Sequence, residues 1–581
     1  MKLLRLKITD PQGFRSLQPG FELYFLRDWN SDEIGHFNPY VLAGPNGSGK
    51  SNVLEVLGAI FYHLECMYLS YRPNSFEYEE EENPRGFRSE WAVPNGFELE
   101  YNILAPAKWN RLAIKEYAHI KIIKENEKSP VIYWVNRKIF EESTDPRLSN
   151  LEAKEVLPEF VLGYSSGENE ILSLPFFKMR FIHYDEYKDF LIKQNPYSSP
   201  EGRLVFMNNE YSQAIVLSNL LLEPQQLLLP FENLVGLERI KSFRIIIKKY
   251  IPLSNDQVTE NAQDETRFHR SRVEMIADDG EEKRYRVDIT QNLKGIIDKL
   301  EKCTTCSYYD DIADQWYFDY WVNEHTIEAF TRYFGSALEL FQAFQILLTL
   351  NLYTVSEKLK SELYQSASLY VNETVPVLPS DERIMRFKDF WIQKSGVTEP
   401  VLSKSFSDGE HQFLHTLGLC LLYKDRNCLF LLDEPETHFN PEWRAKFISS
   451  IRECVGDGQS NEREAGTLRE MLITTHSPFL ISDSRPAYVL LFDKDVENKT
   501  VGVSRPDYNT LGASINKITM MSFGKTETIG GYAEKELNGI KSRFEAGESK
   551  EALLDEINDV LGDSVEKTLF IKKVLASMEE P

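Results

Sequence analysis

The chain has 581 residues, of which 42% are hydrophobic and 12% aromatic. This composition provides enough apolar side chains for several cores of about 100–200 residues each, and it excludes a chain that is disordered throughout. The formal charge of −24 excludes a surface that is basic overall, so nucleic acid would have to meet a local patch or a partner.

The sequence also predicts where the protein resides. No apolar run reaches the roughly 18 residues that a membrane helix needs, and the best candidate, 336–355, contains Glu339, Gln342 and Gln345. The N-terminal segment MKLLRLKITD lacks the apolar stretch of a secretory signal. Six cysteines in so long a chain do not make a disulfide framework. We expect a soluble, cytoplasmic protein with no membrane partner.

The predicted elements change in character along the chain. Strands are predicted at residues 2–9, 20–26, 39–43, 97–104, 118–124, 131–136 and 181–184, and a helix at 51–67. Helical spacing then predominates at 205–222, 237–250, 291–302 and 326–364. Strands return at 383–393, 427–432 and 471–474, and the charged tail from 525 is predicted to be helical. Polar loops are predicted at 256–282 and 456–467.

A phosphate-binding loop is predicted between the strand at 39–43 and the helix at 51–67. Residues 44–51 read GPNGSGKS, which matches G-x-x-x-x-G-K-[ST] in the strand-to-helix context that this motif requires. Glycines let the backbone N–H groups turn towards an anion, and the helix N-terminus adds partial positive charge. Lys50 would reach the β- and γ-phosphates, and the Ser51 hydroxyl would bind Mg²⁺. We therefore expect ATP and Mg²⁺ as cofactors, held by Gly44, Pro45, Asn46, Gly47, Ser48, Gly49, Lys50, Ser51 and Asn52.

A second candidate site lies at the end of the apolar strand at 427–432. Asp433 and Glu434 follow that strand, at the edge where open α/β sheets bind ligands. Asp433 would bind Mg²⁺ directly or through water, and Glu434 would accept a proton from the attacking water. Such an ending is also common at ordinary strand-to-loop junctions, but the phosphate loop in the same chain favours the catalytic interpretation.

Two further segments complete the predicted site. Residues 405–412 read SFSDGEHQ, in which Ser407, Gly409 and Glu410 form a turn that opens an apolar helix and can bind an anion. His476 follows the strand at 471–474 and would hydrogen-bond the γ-phosphate, so that it joins Lys50 and Glu434 as a catalytic candidate. An isolated histidine at a strand end is usually structural, and only the order of the motifs favours its role as a phosphate sensor.

The ordered set GPNGSGKSN, SFSDGEHQ, LFLLDEPETHFNP and ITTHSP resembles the heads of ABC-type ATPases, most closely the RecF-, SMC- and OLD-like group. GFRSL at 13–17 resembles the motif that opens such heads, and the resemblance covers roughly residues 1–65 and 400–500. It implies an α/β fold, a head with a mixed sheet and a P-loop, split by a long insertion that is β-rich first and then mostly helical. It also implies a homodimer that sandwiches ATP head to tail, with Ser407 and Gly409 facing the phosphate loop of the other copy and 436–440 beside the junction.

This resemblance divides the chain into four predicted domains. Residues 1–190 would form the N-terminal half of the head with a β-rich segment, and 191–380 a mostly helical insertion. Residues 381–520 would form the C-terminal half of the head, and 521–581 a helical tail.

The sequence departs from the pattern of such heads at two points. Asp408 stands where the signature usually has its second glycine, and no glutamine occurs between Gln18 and Gln194, so the usual metal-coupling glutamine is unassigned. The segment GYSSGENE at 163–170 resembles a second signature turn. We favour a structural turn there over a second nucleotide contact.

The chain also resembles the AAA-type ATPases of bacterial restriction and anti-phage loci, which often act with a separate nuclease. Asp493 and Asp495 are interpreted as a strand-end turn rather than a nuclease site, and Cys303 and Cys306 as ordinary cysteines rather than a zinc site. DNA is a further candidate partner, and two basic segments could bind it: Arg239, Lys241, Arg244, Lys248 and Lys249, and Arg267, His269, Arg270 and Arg272. We favour the interpretation that these segments are solvent-exposed faces.

Three functions fit these motifs. The leading hypothesis is an ATPase that couples dimer closure and opening to DNA or to a partner nuclease or effector, in anti-phage defence or restriction. The second is a scaffold that holds ATP with little hydrolysis and restrains a toxic effector. The third is a DNA-repair ATPase similar to RecF and SMC proteins. A transport ATPase is disfavoured, because no membrane span is predicted.

Overall fold

The computed structural model of the chain describes residues 1–26, 36–106, 108–109, 117–141, 145–167, 169–193, 202–259, 273–278, 283–289, 293–365, 378–455, 467–495, 497–524 and 529–579. The predicted basic segment at Arg267, His269, Arg270 and Arg272 lies outside the described residues, as does almost all of the loop predicted at 456–467.

The described strands belong to four sheets. In chain order they are β1 (Lys2–Ile8), β2 (Glu22–Tyr24), β3 (Tyr40–Ala43), β4 (Phe97–Ile103), β5 (Ala118–Lys124), β6 (Val131–Trp134), β7 (Phe160–Ser165), β8 (Leu204–Phe206), β9 (Leu237–Lys248), β10 (Tyr250–Leu253), β11 (Val273–Asp278), β12 (Lys283–Asp288), β13 (Cys306–Asp310), β14 (Gln315–Trp321), β15 (Met385–Lys394), β16 (Val401–Leu402), β17 (Cys428–Asp433), β18 (Glu470–Thr475), β19 (Val489–Asp495) and β20 (Thr500–Ser504).

Helices connect and cover these sheets. In chain order they are α1 (Lys50–Met67), α2 (Asn150–Glu155), α3 (Glu170–Lys193), α4 (Ser212–Leu222), α5 (Asn255–Thr259), α6 (Lys294–Lys302), α7 (Glu324–Phe334), α8 (Ala337–Thr349), α9 (Glu357–Gln365), α10 (Asp408–Leu422), α11 (Pro441–Val455), α12 (Pro478–Ser482), α13 (Ile515–Phe523), α14 (Gly531–Glu545), α15 (Lys550–Val560) and α16 (Val565–Glu579). No single described helix is long and apolar enough to cross a membrane; one bent pair, Glu324–Phe334 with Ala337–Thr354, passes that test by length and composition alone.

The largest sheet joins the two ends of the sequence. Its seven strands run in the order β20-β19-β3-β18-β17-β7-β8, and all neighbours are parallel except the edge pair β19–β20. Every residue of β17 and β18 is buried, as expected for central strands that are covered on both faces. Along β17, Phe430 and Leu432 face one core while Leu429 and Leu431 face the other. The predicted α/β fold with a mixed sheet is confirmed.

A second sheet forms the β-rich part of the N-terminal region. Its five antiparallel strands run in the order β2-β1-β4-β5-β6, as predicted for the segments between 97 and 136. Arg5 on β1 links both neighbouring strands, since it donates to Glu22 on β2 at 2.6 Å and to Glu98 and Glu100 on β4 at 2.8 and 2.9 Å.

Between β7 and β17 the chain builds a third sheet, in the order β13-β14-β9-β15-β16, and a smaller one, β10-β12-β11. The helix predicted at 237–250 is therefore wrong, because this segment is the central strand β9 and its continuation β10. Ile245, Ile246 and Ile247 are β-branched and favour an extended backbone, and β14 and β15 hydrogen-bond to both edges of β9. The stretch 191–380, predicted as mostly helical, thus contains strands as well as helices, while the predicted domain boundaries stay predictions.

The strand predicted at 181–184 is also wrong, because these residues lie inside α3. Phe181 and Tyr184 are three residues apart on one face of this helix, and they pack with Leu174, Leu352 and Val355 in a small core of their own. The helical tail is confirmed: α14, α15 and α16 surround a separate apolar cluster of Leu537, Ile540, Leu553, Ile557, Phe570 and Val574.

Candidate nucleotide-binding site

The predicted phosphate loop lies between the carboxyl end of β3 and the start of α1. Gly44, Gly47 and Gly49 all have positive φ, of 152°, 75° and 96°, which side chains disfavour. A Cβ atom at Gly44 would lie 2.3 Å from the carbonyl oxygen of Phe492 on β19, so this glycine also permits close packing of the loop on the sheet.

An open cavity of about 610 Å³ borders the loop. Nine of the predicted site residues line it: Asn46, Gly47, Ser48, Gly49, Lys50, Ser51, Asn52, Glu434 and His476. Arg15 and Ser16 of the GFRSL motif and Lys494 complete the lining, and the sequence analysis did not predict any of the three as a site residue. Gly44 and Pro45 lie behind this surface and direct their carbonyl oxygens at Lys50.

Lys50 is buried with an ammonium group that has no carboxylate in direct contact among the described residues. Its Nζ donates to the carbonyl oxygens of Gly44 and Pro45 at 3.0 Å and lies 3.1 Å from Nε2 of His476. Burial lowers the pKa of Lys50 to about 8, and the nearby Glu434 and Asp433 only partly offset this effect. A phosphate in the cavity would give the ammonium the anionic partner that it lacks.

Asp433 is held by three donors at the end of β17. Its Oδ1 accepts hydrogen bonds from Ser51 at 2.7 Å and Thr474 at 2.6 Å, and its Oδ2 accepts one from Asn169 Nδ2 at 2.8 Å. Ser51 and Asp433 therefore form a hydroxyl–carboxylate pair between α1 and β17, although they are 382 residues apart. Oxygen donors of this kind suit Mg²⁺, which is usually bound by one or two carboxylates together with substrate phosphates and waters. The residues fit the metal role that the sequence predicts for them.

Glu434 has a left-handed backbone conformation, and its carboxylate contacts His476. Its φ is +48°, which is uncommon for a residue with a side chain, and its N–H donates to the backbone oxygen of Thr474 at 3.2 Å and to the Thr474 hydroxyl at 3.0 Å. Ser166 Oγ donates to its carbonyl oxygen at 2.5 Å. Glu434 Oε1 lies 3.0 Å from Nε2 of His476, and this contact lowers the pKa of Glu434, so the side chain is ionised at neutral pH.

His476 lies between the acidic and the basic candidate. The same ring nitrogen, Nε2, is 3.0 Å from Glu434 Oε1 and 3.1 Å from Lys50 Nζ. A protonated Nε2 can donate to the carboxylate, whereas an unprotonated Nε2 can accept from the ammonium, so it cannot make both bonds at once. The imidazole can therefore exchange partners when the contacts of Lys50 change.

The signature turn lies outside this cavity. Ser407 is exposed and caps α10, where its hydroxyl accepts from the Glu410 N–H while Glu410 Oε2 accepts from the Ser407 N–H and hydroxyl. The other carboxylate oxygen of Glu410 accepts from Lys394. A Cβ at Gly409 would lie 2.7 Å from the His438 carbonyl oxygen, so the glycine allows the turn to pack on the loop that follows Glu434.

The family of the chain can be assigned at this point. A family profile described as AAA ATPase domain matches residues 1–481, which include the phosphate loop, the acidic strand, the signature turn and His476. The chain belongs to the AAA ATPase domain family. This family comprises RecF-, SMC- and OLD-like ATPases, so the predicted resemblance to that group is confirmed. AAA ATPases generally bind and hydrolyse ATP with Mg²⁺. No curated protein matches the chain.

Two residues of this AAA ATPase domain that bond to Asp433 were missed in the sequence. Asn169 lies in the GYSSGENE segment, and Thr474 lies at the end of β18. The same segment places Ser166 against Glu434, so it is a turn that also supports the acidic pair. In the sequence this segment can be recognised only as a strand followed by polar residues. Asn169 and Asp433 are 264 residues apart, so the sequence gives no indication that they are in contact.

A further group of polar contacts links the opening motif to the phosphate loop of the AAA ATPase domain. Ser16 donates to Asn52 Oδ1, and Asn52 Nδ2 donates to Glu55 at 2.8 Å. Arg15 Nε lies 3.4 Å from Glu55 Oε2, the same oxygen that accepts from Asn52. GFRSL thus provides a wall of the cavity next to α1.

The remaining candidates do not line this cavity. Asp495 accepts from the N–H groups of Glu497 and Asn498 in the β19–β20 turn, as predicted for a strand-end turn. Cys303 is buried and Cys306 exposed, and both are free thiols.

Proposed function

We propose that the chain hydrolyses ATP with Mg²⁺ in a site completed by a second copy bound head to tail. The observation that carries the proposal is the convergence of Lys50, Ser51, Glu434 and His476 on one cavity, with Asp433 bonded to Ser51 behind it. These residues come from the ends of two neighbouring strands, β17 and β18, and from the start of α1, and they supply the charges that phosphoryl transfer needs.

Each residue has a distinct task in this proposal. The loop N–H groups and Lys50 bind the phosphates, because a phosphate offers the buried ammonium an anionic partner in place of carbonyl oxygens. Ser51 and Asp433 would hold Mg²⁺, which would neutralise charge on the phosphates. Glu434 is ionised at neutral pH and accepts the proton of the attacking water. His476 orients Glu434 and responds when Lys50 turns from the imidazole towards phosphate.

The second copy is proposed because the signature turn is exposed and outside its own cavity. Ser407 is the N-cap of a 15-residue helix, and such an N-terminus attracts anions. In a head-to-tail dimer, Ser407, Gly409 and Glu410 of one copy would face the γ-phosphate held by the other copy. The exposed loop residues Thr437 and His438, within the predicted 436–440 segment, would lie near the junction.

We further propose that the resulting closure is coupled to DNA or to a separate nuclease or effector, in anti-phage defence or restriction. This part rests on the resemblance to such ATPases. An ATP-holding scaffold with little hydrolysis is less well supported, because Glu434 and His476 already have the contacts that a general base needs.

A mixing experiment tests the shared site. Lys50→Ala removes the phosphate contact of one copy, and Ser407→Arg places a bulky cation in the turn that serves the other copy. Each variant alone should have little or no ATPase activity. In an equal mixture, half of the dimers contain one copy of each variant, and one of the two sites in such a dimer is intact. The mixture should therefore regain about a quarter of the wild-type rate. Ser542→Arg, on the exposed side of α14, is the matched control and should keep full activity. A mixture no more active than its components would contradict the head-to-tail dimer.

A further inference from the structure

The sheet β13-β14-β9-β15-β16 has one face in the core and one face directed away from it. Ile245 and Ile247 on β9 and Phe318 on β14 belong to the main core, and the residues between them have the opposite direction. We call this second surface the aromatic face; its aromatic rings are those of Tyr308, Tyr317, Trp321 and Trp391.

Strand register arranges the aromatic face in rows across the strands. One row contains Tyr308, Tyr317, Ile246 and Arg386. The next row contains Cys306, Asp319, Arg244 and Lys388, and the third contains Trp321, Ser242 and Trp391. Successive rows are two residues apart along a strand, or roughly 7 Å. The row with Arg244 and Lys388 therefore lies between two rows that carry aromatic rings.

The rings of the aromatic face are open to solvent. Trp321 is 54% exposed, Tyr308 48% and Trp391 37%. Tyr308 and Tyr317 are stacked on each other, with ring centroids 4.5 Å apart and planes within 4°. Large exposed apolar groups that are clustered on one face are typical of binding surfaces.

Cations accompany the rings. Lys241 Nζ lies 4.8 Å from the Trp321 ring, and the Arg244 guanidinium lies 5.5 Å from the Tyr317 ring while it also binds Asp319 at 2.5 and 2.8 Å. These contacts keep the positive groups beside the exposed aromatic surfaces.

Three other cations of the aromatic face have no carboxylate within ion-pair distance among the described residues: Lys248, Arg386 and Lys388. Lys248 donates to the backbone oxygen of Glu382, and Arg386 contacts the backbone oxygens of Asp381 and Arg383. Burial lowers the pKa of Lys248 and of Arg386, and the Arg386 charge lowers that of Lys248 further. In a chain with a formal charge of −24, unpaired cations placed together indicate a site for an anion.

We propose that the aromatic face binds single-stranded nucleic acid. Bases would stack on Tyr308 and Trp321 and on Trp391, and the phosphates between them would meet Lys388 and Arg386. Single strands expose the faces of their bases, whereas a duplex hides them, so a flat surface with exposed rings favours the single strand. The proposal does not depend on ATP hydrolysis, because the aromatic face contains none of the residues of the nucleotide cavity.

Fluorescence anisotropy with the full-length chain tests this proposal. Short labelled poly(dT) and poly(U) strands and a duplex of equal length serve as probes, without ATP, and the two strands show whether DNA or RNA is preferred. Removing one stacking ring, in Tyr308→Ala or Trp321→Ala, should weaken single-strand binding by at least about fivefold. Lys388→Ala should lower the slope of log affinity against log salt by about 0.7.

Matched controls separate binding from folding. Tyr308→Phe and Trp321→Phe retain a stacking ring and should bind as wild type does, and Tyr532→Ala, whose ring is 79% exposed on α14, should change nothing. Lys50→Ala should also bind normally, which separates this surface from the ATP site. Absence of single-strand binding by the wild type, or equal affinities for the alanine variants and the wild type, would overturn the proposal and leave a protein partner to explain the exposed rings. Duplex binding as tight as single-strand binding would overturn it as well.

Discussion

Asn169 allows the metal-binding role of Asp433 to be tested without touching either the phosphate loop or the proposed base. Asp433 Oδ1 accepts from Ser51 and Thr474, while the Asn169 amide gives the hydrogen bond to Oδ2 at 2.8 Å. Asn169→Ala removes that bond, so Oδ2 loses the donor that orients it while Ser51 and Thr474 still hold Oδ1. The proposed Mg²⁺ site should then lose part of the orientation of its main ligand.

The size of the effect follows from the contact that is lost. A hydrogen bond to a charged group contributes about 1.5–3 kcal/mol, which corresponds to a factor of roughly 10–150 in an equilibrium constant. Loss of a residue that orients a metal ligand typically lowers metal affinity or activity about 10–100-fold. We therefore expect the Mg²⁺ concentration for half-maximal ATPase activity to rise by about 10–100-fold in Asn169→Ala, while ATP binding through the phosphate loop changes little.

The assay is steady-state ATPase activity as a function of Mg²⁺ at saturating ATP. Asn498→Ala is the matched control, because the Asn498 amide donates to the Asp495 carboxylate at 2.6 Å in an exposed turn whose two residues do not line the cavity. The control should show the wild-type Mg²⁺ dependence. An Asn169→Ala variant with that same dependence would refute the argument that this amide orients a metal ligand.

Three further variants test other parts of the site. Glu434→Gln should abolish turnover while ATP binding persists, as seen by filter binding or calorimetry, and unchanged turnover would exclude Glu434 as the base. Gly44→Ala should lose ATP binding and lower the melting temperature, because its Cβ would lie 2.3 Å from the Phe492 oxygen; wild-type binding would contradict the loop geometry. Burial raises the pKa of Glu436 to about 7 in the folded protein. Between pH 4.5 and 7 the Glu436 carboxyl is therefore ionised in the unfolded chain but still protonated in the folded one, so the free energy of unfolding should fall over this range by up to about 3 kcal/mol. Glu436→Gln should remove that fall in a denaturant titration at acid and neutral pH, and an unchanged pH dependence would show that Glu436 is not its source.

The residues that the sequence predicts and that line the cavity belong to local patterns. GPNGSGKS can be recognised from adjacent residues alone, because a phosphate-binding turn between a strand and a helix needs glycines, a lysine and a serine in this order. Asp433 and Glu434 are also visible because an apolar strand ends there. The positions of these groups in one cavity agree with the prediction for Asn46 to Asn52, Glu434 and His476.

Residues that act through contacts across the fold could not be found in the same way. Asn169 meets Asp433 only because β7 pairs with β17, and nothing in the sequence specifies that pairing. The segment 237–250 was misjudged for a related reason: its charged residues fit a helical spacing, while the partners that hold it as a strand lie in β14 and β15. The role of Ser407 across a dimer remains a prediction of the motif, and the mixing experiment tests it.

The position of β3 in the large sheet has a consequence for how the protein is made. On the ribosome, the strand that leads into the phosphate loop emerges early, but both of its neighbours, β18 and β19, begin only at Glu470 and Val489. Until those strands are translated, Val41 and Leu42 have no sheet to join, and exposed strand edges of this kind promote aggregation. A nascent chain that stops before them cannot pair β3 in this sheet, so the proposed ATP site would be assembled only after the C-terminal part has been translated.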